Sequence, residues 1–256
     1  MLFTLLAVLA LIITGVRAFT SGGLTTGRRS QILLTPREVV ESSGRKSFEE
    51  ELNAARKAGN AIECGNEFER LNSIAQRVID SAKALYAPAA QWNWQVALIN
   101  SPCINANQRP SGYLMFYSGL WRSLSLTNDE FAMAAAHEAA HALREHSRER
   151  MSHETITSLL LSQVKSLDKV PKVLLDKALE LGYQLPFSRE QELEADALGM
   201  DIVMRAGFNP RAALTLWKKF EQAGGEIRHE YLSTHPRYAD RLKQAKTLLP
   251  VLMRAK

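Results

Sequence analysis

The sequence predicts an α+β domain, mostly helical, with a small sheet in its first half. Three observations carry this. Capping boxes of the Ser/Thr-x-x-Glu kind stand ahead of helical runs at Ser47 and Thr127. Apolar residues recur at helical spacing over long stretches after about Asn66. Strand-like runs are short and occur only before residue 120. The chain has 256 residues, 46% hydrophobic and 23% charged, which is an ordinary globular balance and enough length to bury a core.

Taken in order, Leu2 to Val16 is apolar apart from Thr4, Thr14 and Gly15. That is short of the roughly 20 residues a spanning helix needs and fits the apolar core of a secretory signal. Residues 1–18 therefore read as a signal peptide, with a small residue at Ala18 for cleavage, or as an uncleaved N-terminal membrane anchor. Either reading places the protein outside the cytoplasm, in a bacterial periplasm or anchored facing it. Residues 19–30 (FTSGGLTTGRRS) form a polar, glycine-bearing linker. Gln31 to Leu34 is a short extended segment, and the Ser47 box predicts a helix start. A second helix is predicted from Asn66 to Tyr86, with Phe68, Leu71, Ile74, Val78 and Ile79 on one face. Trp94–Asn100 and Tyr113–Ser118 read as strands. The Thr127 box opens an alanine-rich helix that propensity carries to about Met151. Further helices are predicted at 153–182, 188–206, 210–223 and 237–248. With no internal repeat or low-complexity segment, residues 31–256 read as one domain.

The net charge of +5 is dispersed, with no basic patch interleaved with aromatics, so nucleic acid is excluded as a partner. Two cysteines, Cys64 and Cys103, lie outside any C-x-x-C pattern. In an exported chain they are a candidate disulfide, and two separate thiols fit equally well.

The chemistry concentrates in AAAHEAAHAL, residues 134–143. Positions i and i+4 share a helix face, so His137 and His141 can offer two imidazole nitrogens to one ion. Glu138 lies about 100° round the helix, placed to reach a water on that ion without binding it. This is the content of H-E-x-x-H: two zinc ligands and a general base. A catalytic zinc needs a third protein ligand and an open position. The longer pattern H-E-x-x-H-x-x-G-x-x-H fails here, since Arg144 and Ser147 occupy its last two fixed positions. His146 is then read as a surface histidine, like His153 and His229. The alternative third ligand is a carboxylate from SREQELEAD, residues 188–196. Glu192 and Asp196 are i and i+4 on one face, so one can bind the metal while the other orients a ligand histidine through its far nitrogen.

HEAAH, PFSREQELEAD and STHPRYADR together resemble the HtpX-type and CAAX-prenyl-protease-type zinc endopeptidases, and most nearly their exported single-domain branch with the Oma-like proteins. The resemblance extends over most of residues 25–245. It implies a zincin-like (gluzincin) fold holding one Zn2+ per chain. It implies His137, His141 and Glu192 as metal ligands, Glu138 as base and Asp196 as a supporting residue. It also implies that Tyr113–Ser118 is an edge strand beside the metal, where an extended peptide pairs. Arg109-Pro110-Ser111-Gly112 stands where the family has proline-glycine-glycine, a departure that bears on the turn rather than the chemistry. His235 of Thr234-His235-Pro236 is a candidate oxyanion donor or a fourth, regulatory zinc ligand, and Arg241 a candidate anchor for His235 or for substrate carbonyls. The expected function is hydrolysis of peptide bonds by a zinc-bound water that Glu138 activates. The expected substrates are unfolded or misassembled envelope proteins, with association to the membrane or the envelope assembly machinery. The competing expectation is a zinc-containing, chaperone-like or latent binding protein with little proteolysis.

Overall fold

A computed structural model describes residues 16–18, 30–165, 188–223, 231, 235 and 238–254. Residues 1–15 and 19–29, which carry most of the expected leader and linker, lie outside them, as do His229 and residues 166–187. The described elements are β1 (Val16–Ala18), β2 (Ser30–Ile32), α1 (Arg37–Lys57), β3 (Ala61–Ile62), α2 (Asn66–Leu85), a 3-10 turn (Ala87–Gln91), β4 (Gln95–Ile99), β5 (Ala106–Arg109), β6 (Tyr113–Tyr117), α3 (Ser118–Ser123), α4 (Asn128–Leu143), α5 (His146–Lys165), α6 (Arg189–Arg205), α7 (Ala212–Ala223) and α8 (Tyr238–Arg254). No described helix is long and apolar enough to cross a membrane.

β1 and β2 pair antiparallel, Val16 opposite Ile32. The other four strands form a mixed sheet in the order β3-β4-β6-β5. β4 and β6 are parallel, and β5 returns antiparallel to β6 through a tight turn, Arg109 opposite Tyr113. That turn puts Ser111 at φ 67° and Gly112 at φ 95°. A Cβ on Gly112 would sit 2.6 Å from the Trp94 ring, so glycine is required there by both backbone and space.

This topology corrects the expected edge strand. Tyr113–Tyr117 is bonded on both sides and its first four residues are buried. The edge beside α4 is β5, whose sequence Ala-Asn-Gln-Arg carries no apolar alternation to announce a strand. Its two faces are polar for a reason. Gln108 reaches Ser147 at 2.7 Å, while Arg109 on the other face bonds Glu51 at 2.6 Å and Ser47 at 3.1 Å. Tyr117 donates to the same Glu51, so α1 is tied to β5 and β6.

Two helix expectations also change. Ser47 does not start a helix; α1 begins ten residues earlier at Arg37, and the Ser47 hydroxyl accepts from Arg109 instead of capping. The helix after Thr127 does not run unbroken to Met151. It stops at Leu143, and Glu145, at φ 50°, turns the chain into α5. Arg148 holds the Glu145 carboxylate at 2.8 Å across that corner. Finally, no disulfide joins Cys64 and Cys103. Because β3 runs antiparallel to β4, with Ala61 opposite Ile99 and Ile62 opposite Leu98, the chain after β3 heads toward the start of β4. Cys103 lies beyond the other end.

α4 is the axis of the fold. Every residue from Glu130 to Leu143 is buried, so this helix has no solvent face. Its alanines let α6 approach until a Cβ on Gly199 would stand 3.2 Å from the His137 backbone nitrogen. α2 and α7 pack around the same helix, and the main core draws on Leu71, Val78, Phe116, Phe131, Leu198, Trp217 and Phe220. At the N-terminus of α4 the capping box is complete, with Thr127 Oγ1 accepting from Glu130 N–H and Glu130 accepting from Thr127 N–H. Lys219 on α7 bonds the same Glu130 carboxylate at 2.7 Å. Burial opposes its charge, but Lys219 and the Thr127 N–H outweigh it and hold its pKa below the ordinary carboxylate value. A folded-state pKa below the unfolded one adds stability above the unfolded value that is lost as pH falls through the folded one. Glu130→Gln is therefore expected to cost about 1–3 kcal/mol at pH 7. Urea titrations of both proteins should show the gap closing as pH drops below about 4.

Candidate metal centre

One turn of α4 projects His137 and His141 to the same side, toward the first two turns of α6. Ser188 starts α6 with a capping box to Gln191, which sets Glu192 and Asp196 facing α4. His235, between α7 and α8, completes the group. His137, His141, Glu192 and His235 are all buried, and each offers one ligand atom within 4.8 Å of the others. His137 Nε2 and His141 Nε2 are 3.0 Å apart. His235 Nδ1 lies 3.3 Å from His137 Nε2 and 2.9 Å from Glu192 Oε1. His141 Nε2 is 3.3 Å from Glu192 Oε1. A tetrahedral ion with bonds of about 2.0–2.1 Å has ligand–ligand edges of about 3.3 Å, so the donor types and spacings both fit a single zinc-like cation.

The electrostatics point the same way. Burial, reinforced by Arg241, holds the His137 pKa well below 6.5; burial and His137 do the same to His141. Both imidazoles are neutral and keep a lone pair for a metal. Glu192 is held well below 4.5, because His235 and Arg241 overcome the cost of its burial. At His235, burial is outweighed by Glu192 and Glu138, which raise its pKa and draw positive charge to this point. The far nitrogen of His137, Nδ1, stands 2.9 Å from Asp196 Oδ1 and 3.1 Å from Arg241 NH2, so a carboxylate and a guanidinium share that side of the ring.

Glu138 is buried and, among the described residues, neither of its oxygens is in a well-aligned hydrogen bond, though the Gln108 backbone lies close enough to favour its charge slightly. Burial pushes its pKa up to about 7. The nearest cationic group is His235 Nε2, 3.6 Å away. A carboxylate so placed has its lone pairs reserved for a proton, the position a general base requires.

Two residues stand elsewhere than expected. Arg241 is buried and does not face solvent, and its NH2 lies 3.1 Å from His137 Nδ1. Its Nε and NH2 clasp Asp196 at 2.7 and 2.8 Å, NH1 lies 3.0 Å from Glu192, and its guanidinium covers Trp217 at 3.7 Å. It is the counter-charge for the two carboxylates of α6, not a group for substrate carbonyls. His146 is not on the surface. It is buried, with Nδ1 2.9 Å from His141 Nδ1 and Nε2 3.1 Å from Glu194 Oε2. The signal that would have placed it is the break at Glu145, which no propensity in the sequence announces. His153 is exposed.

The family model "Peptidase family M48" matches residues 66–249. The chain is 34% identical over 167 residues to mitochondrial metalloendopeptidase OMA1 of Arabidopsis thaliana, covering 63% of this chain and 33% of that protein. It is 33% identical over 162 residues to the protein of the same name in Schizosaccharomyces pombe, covering 61% and 47%. It is 26% identical over 201 residues to the beta-barrel assembly-enhancing protease of Escherichia coli, covering 72% and 40%. The chain thus spans a third to a half of the length of these relatives. Since the matched region holds every residue of the cluster from His137 to Arg241, the metal centre lies inside the shared unit, and the chain belongs to peptidase family M48.

Proposed function

We propose that the protein is a zinc-dependent endopeptidase. The observation that carries this is the convergence of His137, His141 and Glu192 on one point, with the buried carboxylate of Glu138 beside it. Zinc, when bound, supplies Lewis acidity to water and to the scissile carbonyl. Glu138 takes the proton from the attacking water and returns it to the leaving amine. Asp196 stands against the far nitrogen of His137, and Arg241 neutralises the carboxylates behind it. The edge of β5, unpaired among the described residues, offers backbone groups with which an extended peptide pairs, giving affinity with little sequence preference. This suits unfolded or misassembled polypeptides. The name of the Escherichia coli relative, a beta-barrel assembly-enhancing protease, supports a role in the assembly or quality control of envelope proteins. The test is cleavage of casein by the full chain: activity abolished by a chelator and restored by zinc supports the reading, and activity indifferent to both removes it.

A specific observation favours latency in this state. His235 Nδ1, 2.9 Å from Glu192 and 3.3 Å from His137, occupies the fourth corner of the ligand set, where a water would stand. His235→Ala is accordingly expected to keep its zinc and to cleave casein faster than the parent. A drop of about 100-fold or more would instead assign His235 as an oxyanion donor.

A further inference from the structure

We infer that His146 and Glu194 form a positioning relay for the metal ligand His141, and that this relay sets how tightly the site holds its metal. The inference rests on the zinc reading above. His141 can offer Nε2 to an ion only if its proton sits on Nδ1. That Nδ1 lies 2.9 Å from His146 Nδ1, which must then accept. His146 in turn carries its proton on Nε2, 3.1 Å from Glu194 Oε2, which accepts it. Arg144 NH2 bonds the other Glu194 oxygen at 2.6 Å and supplies the counter-charge. With Nε2 of His141 turned to the ion, one consistent chain of donors runs from His141 through His146 to Glu194.

The geometry explains why an extra imidazole is needed. His137 meets its carboxylate directly, because Asp196 follows Glu192 by one turn of α6 and shares its face. Glu194 falls between them in sequence, about 200° round α6 from Glu192, and so starts from a different face of that helix. His146 spans that gap, its ring packed edge-on against His141 at 4.9 Å. It is delivered there by the left-handed residue Glu145. The corner is pinned from outside by Gln31, which donates to the Arg144 carbonyl at 2.7 Å and to Glu149 at 3.0 Å, while Gln191 of α6 donates to the same Glu149 oxygen at 2.9 Å. Both ligand histidines are therefore oriented by a carboxylate of α6, one directly and one through His146. Such outer partners typically contribute about 10- to 100-fold in metal affinity.

The experiment is zinc affinity of the full chain by chelator competition, together with the visible spectrum of the cobalt-substituted protein. The parent is compared with His146→Leu, His146→Gln and Glu194→Gln. His146→Leu should bind zinc about 10- to 100-fold more weakly and shift the cobalt bands. His146→Gln, whose amide offers one acceptor and one donor, should recover most of that loss. Glu194→Gln, which still offers His146 an oxygen but removes the counter-charge of buried Arg144, should fall between parent and His146→Leu, with urea unfolding confirming that it is folded. Affinities of His146→Leu and Glu194→Gln within about threefold of a zinc-binding parent overturn the relay and leave the zinc reading standing. Equal loss in His146→Leu and His146→Gln assigns His146 to packing and also overturns it. A parent that binds no zinc overturns both.

Discussion

Glu138→Gln is expected to retain one zinc per chain and to lose casein cleavage by on the order of 100- to 10,000-fold. Glutamine fills the same volume and cannot accept the water proton. The site around it should change little, because among the described residues neither Glu138 oxygen is in a well-aligned hydrogen bond, and the amide oxygen can still face the Gln108 backbone. The variant should even fold at least as well as the parent, since a buried carboxylate whose pKa is pushed to about 7 is an unfavourable group to hold charged. Zinc content and turnover measured on the same preparation separate the two roles. Loss of zinc along with activity would make Glu138 part of the binding set rather than the base. Unchanged cleavage would remove it from the chemistry altogether.

Arg241→Met is expected to destabilise the metal-free protein by about 3–5 kcal/mol, the cost of leaving buried charge uncompensated. Methionine keeps the length and packs on Trp217, so the loss is electrostatic rather than a cavity. Three guanidinium nitrogens serve Asp196 and Glu192, and both carboxylates are buried. Arg241→Lys should fall short of rescue, because an ammonium cannot reproduce the two parallel bonds to Asp196. Urea unfolding in chelator gives the number. Adding zinc should recover part of the loss in Arg241→Met, since the ion takes over the neutralisation of Glu192. A cost below about 1 kcal/mol would mean that the carboxylates are hydrated or protonated and that Arg241 is not their essential partner.

Local chemistry made the centre of this site legible. H-E-x-x-H and the Glu192–Asp196 pair each lie on one helix, where i and i+4 fix a common face whatever the tertiary structure. The Thr127 box is equally local, and the structure shows it complete. What sequence did not reveal depends on distant contacts. β5 is a strand because α1 and α5 supply partners for Gln108 and Arg109, not because Ala-Asn-Gln-Arg prefers to be one. Ser47 has the composition of a cap but sits mid-helix, bonded to Arg109 from another element. The alanine-rich helix breaks at Glu145, where Arg148 holds the carboxylate and the strained backbone is kept by its surroundings. Misplacing that break by a few residues was enough to put His146 on the surface instead of against His141.

The most direct test of the metal centre is the zinc-edge X-ray absorption spectrum of the purified full chain. The account predicts one zinc bound by nitrogen and oxygen alone, four donors at about 2.0–2.1 Å with imidazole scattering beyond them. A zinc–sulfur distance near 2.3 Å would move the site to Cys64 or Cys103, and a chain that retains no zinc would contradict the centre built from His137, His141 and Glu192.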